Sequence, residues 1–192
     1  MAKLGLKHIV ASPLVETLEG NSYTNGLVLG EAMTANSSAP EYLEAILYGD
    51  DREVNRIKEF KQMTLSLGVT RLPLPAEAML FGATVSNETI EYGAEDTYPY
   101  VGVGFYSRDI PEKDGEPFSY TAVILAKAKF SLPGEELQTK GDAINLVTPS
   151  IESAVVAPMA GPWRIKQTFA TEPEAIEWID TILNVPSEST GG

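Results

Sequence analysis

Alternation with a period of two is the feature that most limits what this chain can become. From Tyr120 to Leu132 the even positions are Tyr120, Ala122, Ile124, Ala126, Ala128, Phe130 and Leu132, and the odd positions end in Lys127, Lys129 and Ser131. Side chains on a strand point alternately to opposite faces, so such a run predicts a β-strand with one buried face. Its first half is apolar on both faces and predicts burial on both. Met63, Leu65, Leu67 and Val69 alternate with polar or small residues between Gln62 and Thr70. Val101, Val103 and Phe105 share one face between Tyr100 and Tyr106, and Trp163, Ile165 and Phe169 alternate with Arg164, Lys166 and Thr168.

Shorter strand candidates lie at Leu6–Val10, Gly26–Leu29, Ala45–Tyr48, Glu88–Tyr92, Ala143–Val147 and Ile151–Ala157. Reversal signals separate them: Asn25-Gly26, Gly49-Asp50, Asp114-Gly115 and Pro133-Gly134. Asp114-Gly115 falls between the two central runs and predicts an antiparallel pair joined by a long loop. Thr171-Glu172-Pro173-Glu174 reads as a capping box, and Ala175, Trp178, Ile179, Ile182 and Leu183 then recur at helical spacing. A short second helix is expected from Pro75 to Phe81, ended by Gly82. The fold class is therefore mainly β, a sandwich or barrel with one flanking C-terminal α-helix. A single domain over 1–192 is expected, with a flexible N-terminal arm over about 1–12, a C-terminal tail over about 184–192, and exposed loops at Asn21–Asn25 and Thr34–Pro40.

The chain has no cysteine, which excludes disulfides and thiolate metal sites. Lysines interrupt the apolar residues from Met1 to Lys7, so no secretory signal is expected, and no stretch approaches a membrane span. These features predict synthesis in the cytoplasm. The formal net charge of −13 opposes any tight grip on nucleic acid.

A search for chemistry finds little. The one histidine, His8, falls on the Leu4–Leu6–Val10 face of the expected N-terminal strand and reads as structural. Gly102-Val103-Gly104 lacks the third glycine of a dinucleotide loop, because position 107 is Ser107. Those glycines instead predict a neighbour packed closely on the strand. The acidic pairs Asp50-Asp51, Glu95-Asp96 and Glu135-Glu136 sit beside turn signals and read as solvated loop charge. Glu112, Asp114 and Glu116 lack the spacing of a calcium loop, and the Asn36 and Asn87 sequons carry no weight without secretion. No catalytic, cofactor-binding or metal-binding residue is assigned, and an enzyme is not expected.

Several segments, in order, resemble the major tail protein family of long, non-contractile phage tails and related prophages. They are Leu4-Gly5-Leu6-Lys7-His8-Ile9-Val10-Ala11, Ala45-Ile46-Leu47-Tyr48-Gly49-Asp50-Asp51, Leu72-Pro73-Leu74-Pro75-Ala76-Glu77 through Leu80-Phe81-Gly82, and Tyr100-Val101-Gly102-Val103-Gly104-Phe105-Tyr106. Lys127-Ala128-Lys129-Phe130-Ser131-Leu132-Pro133, Thr139-Lys140-Gly141-Asp142, Trp163-Arg164 and the Thr171–Leu183 helix continue the set. The resemblance runs roughly from residue 4 to 183, and the order of the segments carries it.

The resemblance implies a tail-tube fold whose copies form rings, usually hexameric, stacked into a hollow tube in the virion tail. Its partners would be itself, a tape-measure protein, a tail terminator and tail-tip proteins, with DNA as non-specific passing cargo and no membrane. Lys140 and Gly141 are candidate signature positions. Turn signals and exposure make Met1–Ser12, Gly49–Phe60 and Ser107–Pro117 the expected contact elements. An acidic bore is expected from the net charge. The competing readings are a monomeric decoration or adhesin module, a small-molecule-binding barrel or enzyme, and the inner tube of a contractile tail or secretion machine.

Overall fold

A computed structural model describes residues 3–49, 52–113, 115–134 and 149–186. The chain is mainly β, with 56% of the described residues in strands and 12% in helices. The strands are β1 (Lys3–Thr17), β2 (Gly20–Tyr23), β3 (Leu27–Val28), β4 (Ala32–Ser37), β5 (Glu41–Gly49), β6 (Arg52–Val69), β7 (Thr84–Ser86), β8 (Thr89–Glu91), β9 (Val101–Asp109), β10 (Ser119–Ser131), β11 (Ser150–Val155) and β12 (Arg164–Phe169). The helices are α1 (Leu74–Phe81) and α2 (Glu172–Ile182). Ten strands join one sheet, seven of them in the order β2-β1-β9-β10-β11-β6-β4 with β12 paired to β10, β3 to β1 and β5 to β6, and β7 and β8 form a small separate hairpin.

Strand β10 organises the sheet. Tyr120–Leu125 pairs with β12 on one edge and with β9 on the other, antiparallel as the Asp114-Gly115 signal predicts. Past an irregularity between Leu125 and Ala128, residues Ala128–Ser131 pair with β11, which in turn pairs with β6. Thr121 through Ala126 are buried, as expected for a strand covered on both faces. The larger core gathers Ile9 and Ala11 from β1, Val101 and Val103 from β9, Leu65 and Leu67 from β6, Ile151 from β11, and Leu80 and Phe81 from α1. Residues distant within one sheet therefore meet across a shared interior, which is consistent with a β-sandwich.

A second, smaller core lies under α2. Ala175, Ile179 and Leu183 pack on Val10, Tyr106, Ala122 and Ile124. Helix α2 starts at the expected capping box, where the Glu174 carboxylate accepts the Thr171 N–H at 3.1 Å.

Several expectations are corrected. Residues 3–12 are no flexible arm: they form the first part of β1, paired with β9, and Ile9, Val10 and Ala11 are fully buried. Two irregularities in β1 break its period and disguise it in the sequence. Thr34–Ser37 belongs to β4 and Asn21–Tyr23 to β2, so neither segment is simply a loop. Their outward residues are small and polar, which removes the apolar alternation that marks a strand. Within the expected tail, the Val185 N–H donates to the Asp180 carbonyl at 2.9 Å, and its side chain joins the core under α2. The Ala143–Val147 strand candidate, Lys140, Gly141, Asp50, Asp51, Glu135 and Glu136 lie outside the described residues, as do 187–192. Among the described residues no helix is long and apolar enough to cross a membrane.

Candidate assembly surfaces

Strand β6 is far longer than its apolar run. Its second part, Met63–Val69, belongs to the body, and its first part pairs with β5 from Arg52↔Gly49 to Gln62↔Glu41. The expected Gly49–Phe60 loop is thus mostly strand, the distal part of a β-hairpin arm. Every described side chain from Glu41 to Glu59 is exposed, so no buried face exists to impose an apolar alternation on the sequence.

The two faces of the arm differ. Directly opposed residues share a face, which places Tyr42, Phe60, Glu44, Lys58, Ile46 and Arg56 on one side. That side satisfies itself. Glu44 accepts ion pairs from Arg56 at 3.3 Å and Lys58 at 3.2 Å, and the Lys58 ammonium lies 4.5 Å from the Tyr42 ring centre. The other side carries Leu43, Ala45, Leu47 and Ile57 with Asn55 and Glu59. Leu43, Leu47 and Ile57 are 58%, 63% and 54% exposed. The arm therefore presents an apolar stripe to water on this side, while Tyr42 and Ile46 on the ion-paired side are less exposed, at 42% and 38%.

A second construction ties β1 to α2. Between the pairs Leu4↔Arg108 and Leu6↔Ser107, β1 holds one extra residue, Gly5. Between Lys7↔Tyr106 and Val10↔Gly104 it again holds one more residue than β9. Gly5 and His8 adopt left-handed backbone, with φ of 69° and 54°. Neighbouring strand residues ordinarily face opposite ways, and a bulge re-aims one of them. Here Lys7 and His8 both reach α2. The Lys7 Nζ lies 2.9 Å from Glu172 at one end of the helix, and the His8 Nε2 lies 2.7 Å from the Asp180 carboxylate near the other. His8 is thus a positioning group between strand and helix, while Leu6 packs against the larger core.

Tyr106 donates its hydroxyl to Glu172 from beneath. The hydrogen bonds from Tyr106 and then Lys7 hold the Glu172 carboxyl below the usual range, while burial, followed by Glu172 itself, pushes the Tyr106 phenol well up. Leu4, Gly5, Lys7, Tyr106, Arg108, Tyr120 and Glu172 line a cavity of about 170 Å³ beside this contact. Its carboxylate is already engaged by Lys7 and Tyr106, so the cluster reads as a clasp.

Gly102 and Gly104 act as the sequence predicts. A Cβ on Gly102 would stand 2.3 Å from the Tyr23 ring, and one on Gly104 would stand 2.7 Å from Ile179 and 2.8 Å from Leu183. The glycines form a trough that seats the end of α2. Asp96 accepts the Gly93 N–H at 2.6 Å, a turn-closing contact that gives Glu95-Asp96 a local structural role. Of the expected Ser107–Pro117 contact loop, Ser107–Asp109 belongs to β9, where Asp109 is buried and accepts from the Thr121 hydroxyl. Asn36 lies in β4, Asn87 in the β7–β8 turn, and Asp114 outside the described residues. Among the described residues no group of three or more His, Asp or Glu is placed to hold a metal ion.

No protein-family profile matches this sequence, and no curated protein matches it at a significant level.

Proposed function

We propose that this chain is a structural subunit that assembles with copies of itself into stacked rings, forming the hollow tube of a long, non-contractile phage tail. The observation that carries the reading is the β5–β6 arm. A two-stranded hairpin projecting into water is marginal by itself, and a contiguous apolar stripe on it calls for a protein surface to cover it. The ordered sequence resemblance makes a second copy of this chain that surface.

The arm suits the task mechanically. Its β6 strand runs without a break into the core residues Met63–Val69, so its direction is set by the body. A ring needs a heterologous contact that closes, and a stack needs one that stays open. The arm supplies the second, and the outer edges of β4 and β5, unpaired among the described residues, offer backbone groups for the first. The net charge of −13 suits a bore through which DNA slides without adhering. On this reading the chain performs no catalysis. A tape-measure protein, a tail terminator and tail-tip proteins are its further partners, and DNA is passing cargo.

Negative-stain microscopy of the concentrated full chain tests the reading. Rings or long hollow tubes are expected, alone or after addition of preformed tail tips. A monomer that neither concentration nor tail tips convert overturns it. Tubes that form only inside a second, sheath-like layer move the assignment to a contractile machine.

A further inference from the structure

The Asn25-Gly26 reversal sits under the C-terminal end of α2. Asn25 is exposed with φ of 52°, and Gly26 is buried. The Gly26 N–H donates to the Asn184 carbonyl at 3.0 Å. The Leu183 carbonyl and the Val185 side chain press on the same residue, so that a Cβ at Gly26 would lie 2.5 Å and 2.9 Å from them. Leu183 is itself fully buried, seated in the Gly102–Gly104 trough.

An asparagine followed by glycine is prone to spontaneous ring closure, because glycine puts no side chain in the path of attack. The backbone nitrogen of Gly26 would bond to the side-chain carbonyl carbon of Asn25. The carbon–Nδ2 bond would break, and the departing amide nitrogen would leave as ammonia with the proton from Gly26. Water would then open the cyclic imide to aspartate or isoaspartate. The reaction needs that nitrogen free of its hydrogen bond and the backbone free to rotate. The docked helix end denies both.

We infer that Asn25-Gly26 is a latent self-modification site, kept unreactive by the docked C-terminal end of α2 and opened when that end lifts. The reaction has a direction. It places a new carboxylate beside the carbonyl-rich end of a helix, where negative charge is disfavoured. Isoaspartate also lengthens the backbone by one methylene at residue 25, directly before the glycine where even a Cβ has no room. A helix end that has lifted and been modified is hindered from docking again, so the site registers local opening of this corner irreversibly. The inference stands independently of the tube assignment.

The test is incubation of the full chain at mildly alkaline pH, followed by peptide mapping for isoaspartate at position 25 and assay of released ammonia. The folded chain is expected to react at least about tenfold more slowly than a peptide of residues 20–30, a protection that corresponds to local opening rather than free exposure. Leu183→Ala should raise the rate toward that of the peptide. Because this change reaches the core, the milder Val185→Gly is run alongside, with amide hydrogen exchange at Gly26 and in β10. Faster exchange at Gly26 with unchanged β10 should accompany faster modification. The inference is overturned if the unaltered chain reacts at the peptide's rate. It is also overturned if Val185→Gly speeds Gly26 exchange without speeding the reaction.

Discussion

The Phe60 ring lies flat on the Trp163 ring, with centroids 4.3 Å apart and planes 4° from parallel, where the β5–β6 arm leaves the body. Tyr42 meets the edge of Phe60 at 6.0 Å, so an aromatic step joins the arm to the segment before β12. Phe60→Ala should cost about 0.5–1.5 kcal/mol of folding stability through the lost stack, beyond the apolar area it uncovers. It should also weaken assembly more than that figure suggests, because it unfixes the arm. Denaturant unfolding gives the first quantity and sedimentation of assembled particles the second. Unchanged assembly would show that arm direction is set elsewhere.

Replacing Leu43, Leu47 and Ile57 together with serine should abolish stacking into tubes. The isolated subunit should keep its thermal midpoint nearly unchanged, since exposed positions typically contribute within about 0.5 kcal/mol each. Calorimetry of the monomer beside microscopy of the concentrated protein separates the two effects. Tubes that persist in the triple variant would remove the stripe from the stacking contact.

His8 offers a paired comparison. Both His8→Ala and His8→Gly lose the 2.7 Å contact with Asp180. Alanine retains the cost of the left-handed backbone at φ 54°, and glycine relieves it. The glycine variant should therefore be the more stable of the two by about 1 kcal/mol, less what glycine adds to unfolded-chain entropy. Chemical denaturation of both variants checks the order, and the reverse order would mean that the bulge relaxes on losing the imidazole.

Glu172 predicts part of the acid limb of stability. Its folded carboxyl is held below the ordinary value of 4.5, first by the Tyr106 hydrogen bond and then by Lys7, with Arg108 adding a smaller attraction. A depressed acid stabilises the fold above its unfolded value and loses that contribution as pH falls through the folded one. Glu172→Gln should thus be less stable than the natural chain at neutral pH, and the gap should close below about pH 4.5. Thermal melts across that range would reveal parallel curves if Glu172 contributed nothing.

Particular residues show how far the sequence could be read. The alternation in Tyr120–Leu132 placed β10, and the Thr171–Glu174 box placed the start of α2, because burial and capping leave local marks. The Gly102–Gly104 pair announced a close approach without naming what approaches. Strand β1 was only partly legible, since its bulges at Gly5 and around His8 disrupt the period that a reader relies on. Of the arm, Ala45–Tyr48 is legible as a strand but Gly49–Phe60 looks like a loop, because a hairpin bathed in water on both faces has no reason to alternate.

By itself, then, the sequence determined the β class, the buried strands and the flanking helix, for these follow from which side chains must leave water and at what spacing. Only the tertiary structure decided that Lys7 and His8 face the same helix, that Leu183 fills the space two glycines leave, and that Leu43, Leu47 and Ile57 form one uncovered stripe. Those relationships join residues far apart in the chain or depend on strand register, and a slip of one residue in register would turn every side chain to the opposite face.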